Sequence, residues 1–286
     1  MSKYYLVRKI ERAYAAQRKN IYQRLRPRAE VKTILFILGC QRSGTTLLAR
    51  IFDKDLSSRC YPEFSKLSSQ DRRDGRRGIR LNPLDSLVEE FRRLRTSFIV
   101  LKPLVESQNA PRLLDYFEGS RAIWVYRDYR DVAVSNLRHF NRRNGINDLR
   151  PIVRNEPGNW RAEKVSEALR AAVAGFFSED MDPYDAAALF WYVRNRLFFD
   201  CGLDHRPEVL MCKYDELVAR PRRVVRGLYR RLGLPYPGDE ITRQVRPPTP
   251  NRKPAPRFSP GVAALAEGLM SRLDAAYARK GPLPVV

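Results

Sequence analysis

Short apolar runs alternate with amphipathic stretches along most of the chain. The apolar runs at 33–39, 97–101, 122–126 and 208–212 have the length and composition of buried strands. The stretches between them carry apolar residues at helical spacing and predict helices at 45–54, 84–95, 108–118, 130–140, 161–177, 183–201, 221–232 and 261–279. This alternation is typical of a parallel sheet with helices on both faces. We therefore expect an α/β protein of three layers with a central parallel sheet.

Four segments lack a clear period. Residues 60–66 and 68–83 are predicted to be irregular, and 141–160, which is rich in Asn, Arg, Pro and Gly, is predicted to be a long surface loop. The proline-rich stretch 243–260 predicts an extended basic segment. Long loops often shape binding sites, so we expect 64–83 and 141–160 to select the substrate.

The first 30 residues are predicted to form a basic helical extension in front of a domain at residues 31–286. Residues 3–26 predict an amphipathic helix, and Pro27 would end it. The predicted apolar stripe of this helix consists of Leu6, Ile10, Ala13, Tyr14, Ile21 and Leu25. The helix can pack on the domain, pair with a second copy or rest on an anionic membrane, and the sequence leaves all three open.

The chain carries a formal net charge of +22 over 286 residues. Part of this charge belongs to solvated basic faces, but a basic cleft also attracts anionic ligands. Nucleic acid and acidic membranes are alternative partners. No zinc finger, aromatic RNA-binding strand or heptad zipper accompanies the charge, so nucleic acid is not the partner we expect.

The cysteines give no sign of a metal site. Cys40, Cys60, Cys201 and Cys212 lack metal-ligand spacing, and free thiols are typical of a reducing compartment. The chain contains no run of eighteen apolar residues, and its basic N-terminus lacks a continuous apolar core, so we expect neither a spanning helix nor a secretory signal. We predict a cytoplasmic protein, located at a membrane surface if the basic helix binds lipid.

The most informative motif follows the first predicted strand. Gly39 and Gly44 keep the spacing of a Walker A loop, yet Thr45 stands where a nucleotide hydrolase has its lysine. A cation occurs instead at Arg42, inside the loop. A strand, such a loop and a helix together direct backbone N–H groups at an anion. The motif therefore predicts a P-loop-like phosphate site for a donor other than ATP or GTP.

Three motifs in order resemble one known family. Residues 41–47, Gln-Arg-Ser-Gly-Thr-Thr-Leu, resemble the 5′-phosphosulfate loop of sulfotransferases that use 3′-phosphoadenosine 5′-phosphosulfate (PAPS). Residues 123–135 are similar to the family's 3′-phosphate motif, a strand that ends in arginine with a serine eight residues later. Residues 209–218 resemble the strand and Tyr-Glu-Asp-Leu-type turn found late in these domains. The set is similar to tyrosylprotein, carbohydrate and bacterial sulfotransferases, and it spans about residues 34–235, most of the chain.

The resemblance implies a set of donor-binding residues. The 5′-phosphosulfate would lie against the loop residues Arg42, Ser43, Gly44, Thr45 and Thr46. Arg127 and Ser135 would bind the 3′-phosphate, and Tyr214 would contact the adenine. Arg252 and Lys253, in the proline-rich segment, would close over the 3′-phosphate.

The resemblance also implies the catalytic residues. Glu63, just beyond the first helix of the domain, would be the general base, and Lys102 would offset charge on the bridging oxygen of the donor, with Arg42 beside it. PAPS would be the co-substrate, and no metal ion is implied because no second anhydride needs bridging. The acceptor would be a hydroxyl or amine of a small molecule, glycan, lipid or peptide, and the many arginines favour an anionic one.

Two other functions stay open at this point. A P-loop nucleotide kinase would share the fold, but it would need the missing lysine after Gly44 and a strand that ends in a Walker B aspartate. A non-enzymatic module that binds nucleic acid or membrane would account for the charge alone. Such a module would show steeply salt-dependent binding and no affinity for adenosine 3′,5′-bisphosphate (PAP), the desulfated donor.

Overall fold

The computed structural model describes residues 3–70, 79–246 and 256–282. The strands in these ranges are β1 (Thr33–Gly39), β2 (Ser58–Tyr61), β3 (Ser68–Gln70), β4 (Ile79–Leu81), β5 (Phe98–Leu101), β6 (Arg121–Tyr126) and β7 (Val209–Lys213). The helices are α1 (Lys3–Arg24), α2 (Thr45–Asp53), α3 (Leu84–Arg93), α4 (Ala110–Tyr116), α5 (Tyr129–His139), α6 (Asn144–Val153), α7 (Glu167–Ala174), α8 (Pro183–Asp200), α9 (Tyr214–Ala219), α10 (Pro221–Arg231) and α11 (Pro260–Lys280). Short 3-10 helices occur at Leu104–Asn109 and Asp239–Thr242.

A parallel sheet of five strands, in the order β2-β5-β1-β6-β7, forms the centre of the described residues. All four pairs of neighbouring strands run parallel, and Phe36 of the central strand β1 lies between Leu101 of β5 and Ala122 of β6. The carboxyl ends of the five strands therefore meet at one edge of the sheet, where open α/β sheets bind their ligands.

Alternate side chains of β1 point into two hydrophobic cores. Leu35 and Ile37 pack in one cluster with residues of α2, α9 and α10. Phe36 and Leu38 pack in the other, with residues of α5, α6, α8 and α11. Because all four side chains are at most 1% exposed, each adds about 1.5–3 kcal/mol of burial energy. The predicted fold, three layers with a central parallel sheet, is confirmed.

The prediction of a surface loop at 141–160 is wrong, because α6 occupies the middle of that segment. Ile146, Leu149 and Ile152 of α6 are buried at successive turns, with at most 3% of each exposed. A side chain at Gly145 would lie 2.7 Å from the backbone nitrogen of Ala187, so this glycine lets α6 approach α8 closely. Tertiary packing here outweighs the weak helix propensity of Asn, Gly and Pro.

The prediction of irregular structure at 60–66 and 68–83 is also wrong in part. β2 extends the sheet by pairing with β5, and β3 pairs antiparallel with β4. Strands of three or four residues are stabilised by their partners and leave little pattern in the sequence. Arg80 of β4 holds this hairpin by bonding Glu106 (2.7 Å) and Glu163 (2.8 Å).

The helices predicted at the two ends of the chain are both present. The basic extension is helical as α1, and the last predicted helix is α11. Half of the proline-rich segment, residues 247–255, lies outside the described residues. No helix in the described ranges is both long and apolar enough to cross a bilayer.

Candidate active site

The phosphate loop connects β1 to α2 through three residues with positive φ. These are Gly39 (φ 132°), Arg42 (φ 65°) and Gly44 (φ 97°). A side chain at Gly39 would lie 2.3 Å from the carbonyl oxygen of Val125, so glycine is required there. The loop thus brings its backbone next to the neighbouring strand β6 before α2 begins at Thr45.

The hydroxyl of Ser43, in the phosphate loop, is fully buried and makes no hydrogen bond to the described residues. Leaving a buried polar atom unpaired costs about 1–3 kcal/mol, so such atoms commonly belong to binding sites. Thr45 is buried next to Ser43, whereas Thr46 is exposed. Ser43 and Thr45 thus lie within the loop, and Thr46 lies at its surface.

Two arginines approach each other beside the loop. Arg42 donates from Nε to the Ser135 hydroxyl at 3.1 Å. Burial and the nearby charge of Arg127 both lower the pKa of Arg42. Arg127 forms an ion pair with Asp131 (2.9 Å), yet its Nε atom is buried without a partner in the described residues. The like charges of the two guanidinium groups would be relieved by an anion bound between them.

Tyr214 links the loop to Arg127. Its ring lies under the Arg127 guanidinium, 4.3 Å from the ring centre, in a cation–π contact. The same ring covers Gly44, where an added side chain would come within 2.3 Å of it. The sequence predicts five donor-binding residues outside the phosphate loop. The structure brings three of them, Arg127, Ser135 and Tyr214, together beside this loop.

Arg252 and Lys253, the remaining two predicted donor-binding residues, fall in the segment 247–255 and so outside the described residues.

Glu63 and Lys102, two of the three predicted catalytic residues, lie on the other side of β1 from Arg127 and form an ion pair; the third, Arg42, lies in the phosphate loop. Lys102 follows β5 and Glu63 follows β2, and Lys102 Nζ lies 2.8 Å from Glu63 Oε2. Their side chains are only 9% and 17% exposed, so water screens the pair poorly. A small cavity beside them has walls of Leu67, Leu81 and Pro103.

Asp148 is a site residue that the sequence did not reveal. Its carboxylate is buried and accepts hydrogen bonds from Gln41 of the phosphate loop (3.0 Å) and from Asn144 (2.8 Å). It also pairs with Arg161 at 2.6 Å. Little in the local sequence marks Asp148, because two of its three partners, Gln41 and Arg161, come from outside α6.

Two further contacts hold the edge of the sheet in place. The Ser107 hydroxyl is fully buried and accepts from the backbone N–H of Gly39 at 3.2 Å. The indole of Trp191 is buried in the core and donates to the carbonyl of Arg127 at 3.0 Å. The backbone is therefore fixed at Gly39, three residues before Arg42, and at Arg127 itself. In the part of the chain that the structure describes, no group of three or more His, Cys, Asp or Glu side chains could hold a metal ion.

Several solved structures resemble this chain at low identity. The sulfotransferase domain of the Synechococcus PCC 7002 olefin synthase matches at 17% identity over 85% of this chain and 97% of its own, with a TM-score of 0.46. A sulfotransferase from Alicyclobacillus acidocaldarius matches at 16% identity over 87% and 95%, with a TM-score of 0.48. A mouse sulfotransferase complexed with PAP matches at 14% identity over 87% and 68%, with a TM-score of 0.35. Identities and TM-scores this low give no information about the activity of this chain.

A search of curated proteins finds no match to this sequence. The family model for the sulfotransferase domain, in contrast, matches residues 32–248, which include the whole five-stranded sheet and every described site residue named above. The match therefore depends on the whole domain and not on a single loop. The chain belongs to the sulfotransferase family.

Proposed function

We propose that this protein transfers the sulfuryl group of PAPS to a hydroxyl or amine of an acceptor. The observation that carries the proposal is the cluster of cations beside the phosphate loop. Arg42 and Arg127 lie close together, and the buried Ser43 Oγ and Arg127 Nε atoms have no partner among the described residues. A ligand with phosphate groups at both ends would supply acceptors for these donors and neutralise the two arginines.

The residues present fit such a donor. The backbone of the loop, Ser43 and Thr45 would hold the 5′-phosphosulfate, with Arg42 between the loop and Ser135. Arg127 and Ser135 would bind the 3′-phosphate, and Tyr214, already in contact with Arg127, would lie near the adenine. The donor supplies an activated sulfuryl group. Fixed cations and backbone N–H groups stabilise the charge that develops in the transfer.

The ion pair of Glu63 and Lys102 would supply the two proton-handling groups. We propose that the Glu63 carboxylate takes the proton from the attacking hydroxyl or amine, and that the Lys102 ammonium donates a hydrogen bond to the departing oxygen. Both roles require the two side chains to exchange their mutual bond for bonds to the substrates. Their location on adjacent strands β2 and β5 keeps them at the same edge while they do so.

The sulfotransferase family argues against both alternatives raised by the sequence. A nucleotide kinase needs a lysine after Gly44, and the structure has the buried Thr45 there. A binding module without activity would not need the ion pair of two buried catalytic-type side chains at the carboxyl edge. The positive charge of the chain does not require a nucleic acid or a membrane as partner, because it would also attract a highly anionic donor.

The direct test is sulfate transfer from radiolabelled PAPS by the purified chain. The acceptor panel contains neutral phenols, amines, anionic glycans, lipids with polar headgroups and acidic peptides. We expect labelled product from at least one class, with release of PAP and without added metal. Absence of transfer together with absence of PAPS binding would overturn the proposal, and so would phosphate transfer from ATP to the same acceptors.

A further inference from the structure

The helix α1 is attached to the domain by polar side chains. Lys19 Nζ binds Asp53 Oδ1 at 2.9 Å and Ser58 Oγ at 3.1 Å, and its side chain is only 11% exposed. Gln23 Nε2 donates to the carbonyl oxygens of Leu56 (3.0 Å) and Ser58 (2.7 Å). Lys19 and Gln23 thus define the inner face in the part of this helix whose side chains the structure describes.

Three apolar side chains in and just after the same helix face solvent. Tyr14 is 69% exposed, Ile21 51% and Leu25, which continues the last turn, 82%. At about 100° per residue, these three lie roughly 140–180° around the helix from the centre of the inner face. We call Tyr14, Ile21 and Leu25 the outer face.

This arrangement is the reverse of ordinary helix packing. An amphipathic helix on a globular domain normally buries its apolar stripe and exposes its polar side. Exposed apolar residues aligned on one face, next to an already satisfied polar face, indicate a partner that is not part of this chain. Simple packing on the domain, one of the three options left open by the sequence, therefore does not account for the outer face.

The charge around the outer face identifies the partner. The exposed side chains of Arg18 and Arg24 flank it on opposite sides, and Arg26 and Arg28 continue the basic stretch. A second copy would bring this basic face against another chain of charge +22, which opposes association. An anionic lipid surface matches both properties, since headgroups attract the arginines and the acyl boundary takes up the apolar side chains.

We propose that the outer face of α1 binds an anionic membrane surface. The contacts of α1 lie at Ser58, where β2 begins, and near Arg95, which precedes β5 and binds the carbonyl of Arg26. These positions belong to the amino edge of the sheet, opposite the edge that carries Arg42, Arg127 and Glu63. The membrane would hold the protein by the far end of the domain, and the catalytic edge would stay accessible from the aqueous side.

Vesicle sedimentation with the full chain tests the proposal. We expect the protein to sediment with vesicles of phosphatidylcholine and phosphatidylglycerol, and not with phosphatidylcholine alone. Ile21→Ser/Leu25→Ser should weaken the partition coefficient by about tenfold or more, since two apolar side chains leave the lipid. Arg18→Ala/Arg24→Ala should weaken it by a similar factor.

Matched controls separate the outer face from the charge of the whole protein. Arg142→Ala/Arg223→Ala removes two exposed arginines outside α1, and Phe140→Ser removes an apolar side chain that is 44% exposed. Both controls should bind vesicles like the unaltered chain. Equal weakening in the controls and in the outer-face variants would mean nonspecific attraction, and it would overturn the proposal.

A fluorescence reporter shows which face touches the lipid. The tryptophans at 124, 160 and 191 are at most 9% exposed, so they give a constant background. In Ile21→Trp, the introduced indole should shift to shorter wavelengths on anionic vesicles and be quenched by brominated lipid. An unchanged spectrum despite sedimentation would contradict the proposal. A dimer that Ile21→Ser/Leu25→Ser dissociates, or a DNA duplex bound through the same face, would assign it to another partner and overturn membrane binding.

The result of the vesicle-binding test does not depend on the proposed enzymatic function. Ile21 and Leu25 lie at the opposite edge from the site, so Ile21→Ser/Leu25→Ser should keep the thermal stability and sulfuryl transfer of the unaltered chain. Loss of vesicle binding with retained transfer would support the membrane contact. If the unaltered chain binds vesicles but transfers no sulfate, the proposed function would be contradicted and the membrane contact would still be supported.

Discussion

The two sides of the candidate active site carry opposite arrangements of charge. On the β6–β7 side, Arg127 lies on the Tyr214 ring and next to Arg42, and burial and the charge of Arg127 lower the pKa of Arg42. On the β2–β5 side, Lys102 and Glu63 neutralise each other at 2.8 Å. In the proposed function, an anion bound on the first side would stabilise its two cations, whereas the second side would have to break its ion pair before it could react. Donor binding and turnover should therefore be separable by mutation.

Glu63→Gln should have the largest effect on the reaction. Loss of a general base lowers kcat by about 10²–10⁴-fold, because no group then takes the proton of the acceptor. The affinity for PAP should stay within about twofold, since the proposed donor-binding residues lie in the phosphate loop and beside β6 and β7, away from Glu63. Steady-state kinetics and calorimetry measure the two quantities. Glu118→Gln, at an exposed glutamate, is the control, and undiminished turnover of Glu63→Gln would remove Glu63 from the mechanism.

Lys102→Met should lower stability more than the double variant Glu63→Gln/Lys102→Met does. The single change leaves the Glu63 carboxylate mostly buried without its partner, which costs about 3–5 kcal/mol of unfolding free energy. The double change removes both charges and should restore most of the lost unfolding free energy. Neither variant should transfer sulfate. Urea denaturation measures the difference. Equal destabilisation by the single and double variants would show that the ion pair does not decide the stability of the β2–β5 side.

Asp148→Asn should have a smaller effect, through position and not through contact with substrate. The neutral side chain keeps its size but no longer balances Arg161, so Gln41 and the phosphate loop lose part of their support. We expect kcat/KM for PAPS to fall by about tenfold, mainly through KM, with an unchanged pH profile. Asp180→Asn, at an exposed aspartate, should leave kinetics unaltered. A change in the pH profile would instead indicate a direct role in proton transfer.

The contrast between the two sides also explains what the sequence could predict. The strands β1 and β6 are apolar runs followed by residues that the sequence predicts to bind phosphate, so the bounds of the strands and the position of Arg127 follow from local pattern. β2 has only four residues, and its place in the sheet depends on pairing with β5. α6 was missed for a related reason, because its buried apolar residues compete with Asn, Gly and Pro in the same stretch.

The pairing of side chains was harder to predict than their presence. The sequence grouped Ser135 with Arg127, whereas in the structure Ser135 accepts a hydrogen bond from Arg42 and Arg127 pairs with Asp131. The contact of Glu63 with Lys102, 39 positions apart, and that of Gln41 with Asp148, 107 positions apart, depend on the assembled sheet and helices. Such contacts have no local signature, and the roles assigned to these residues stay predictions until the variants are measured.

Calorimetric titration of PAP into the unaltered protein and into Arg127→Ala tests the donor site most directly. We expect the unaltered protein to bind, and Arg127→Ala to bind about tenfold to hundredfold more weakly, since a hydrogen bond to a charged group is worth about 1.5–3 kcal/mol. Arg130→Ala is the control, because Arg130 pairs with Asp128 and Glu267 at the surface. No heat from folded, unaltered protein, or equal affinities in all three proteins, would contradict the assignment of this edge to PAPS.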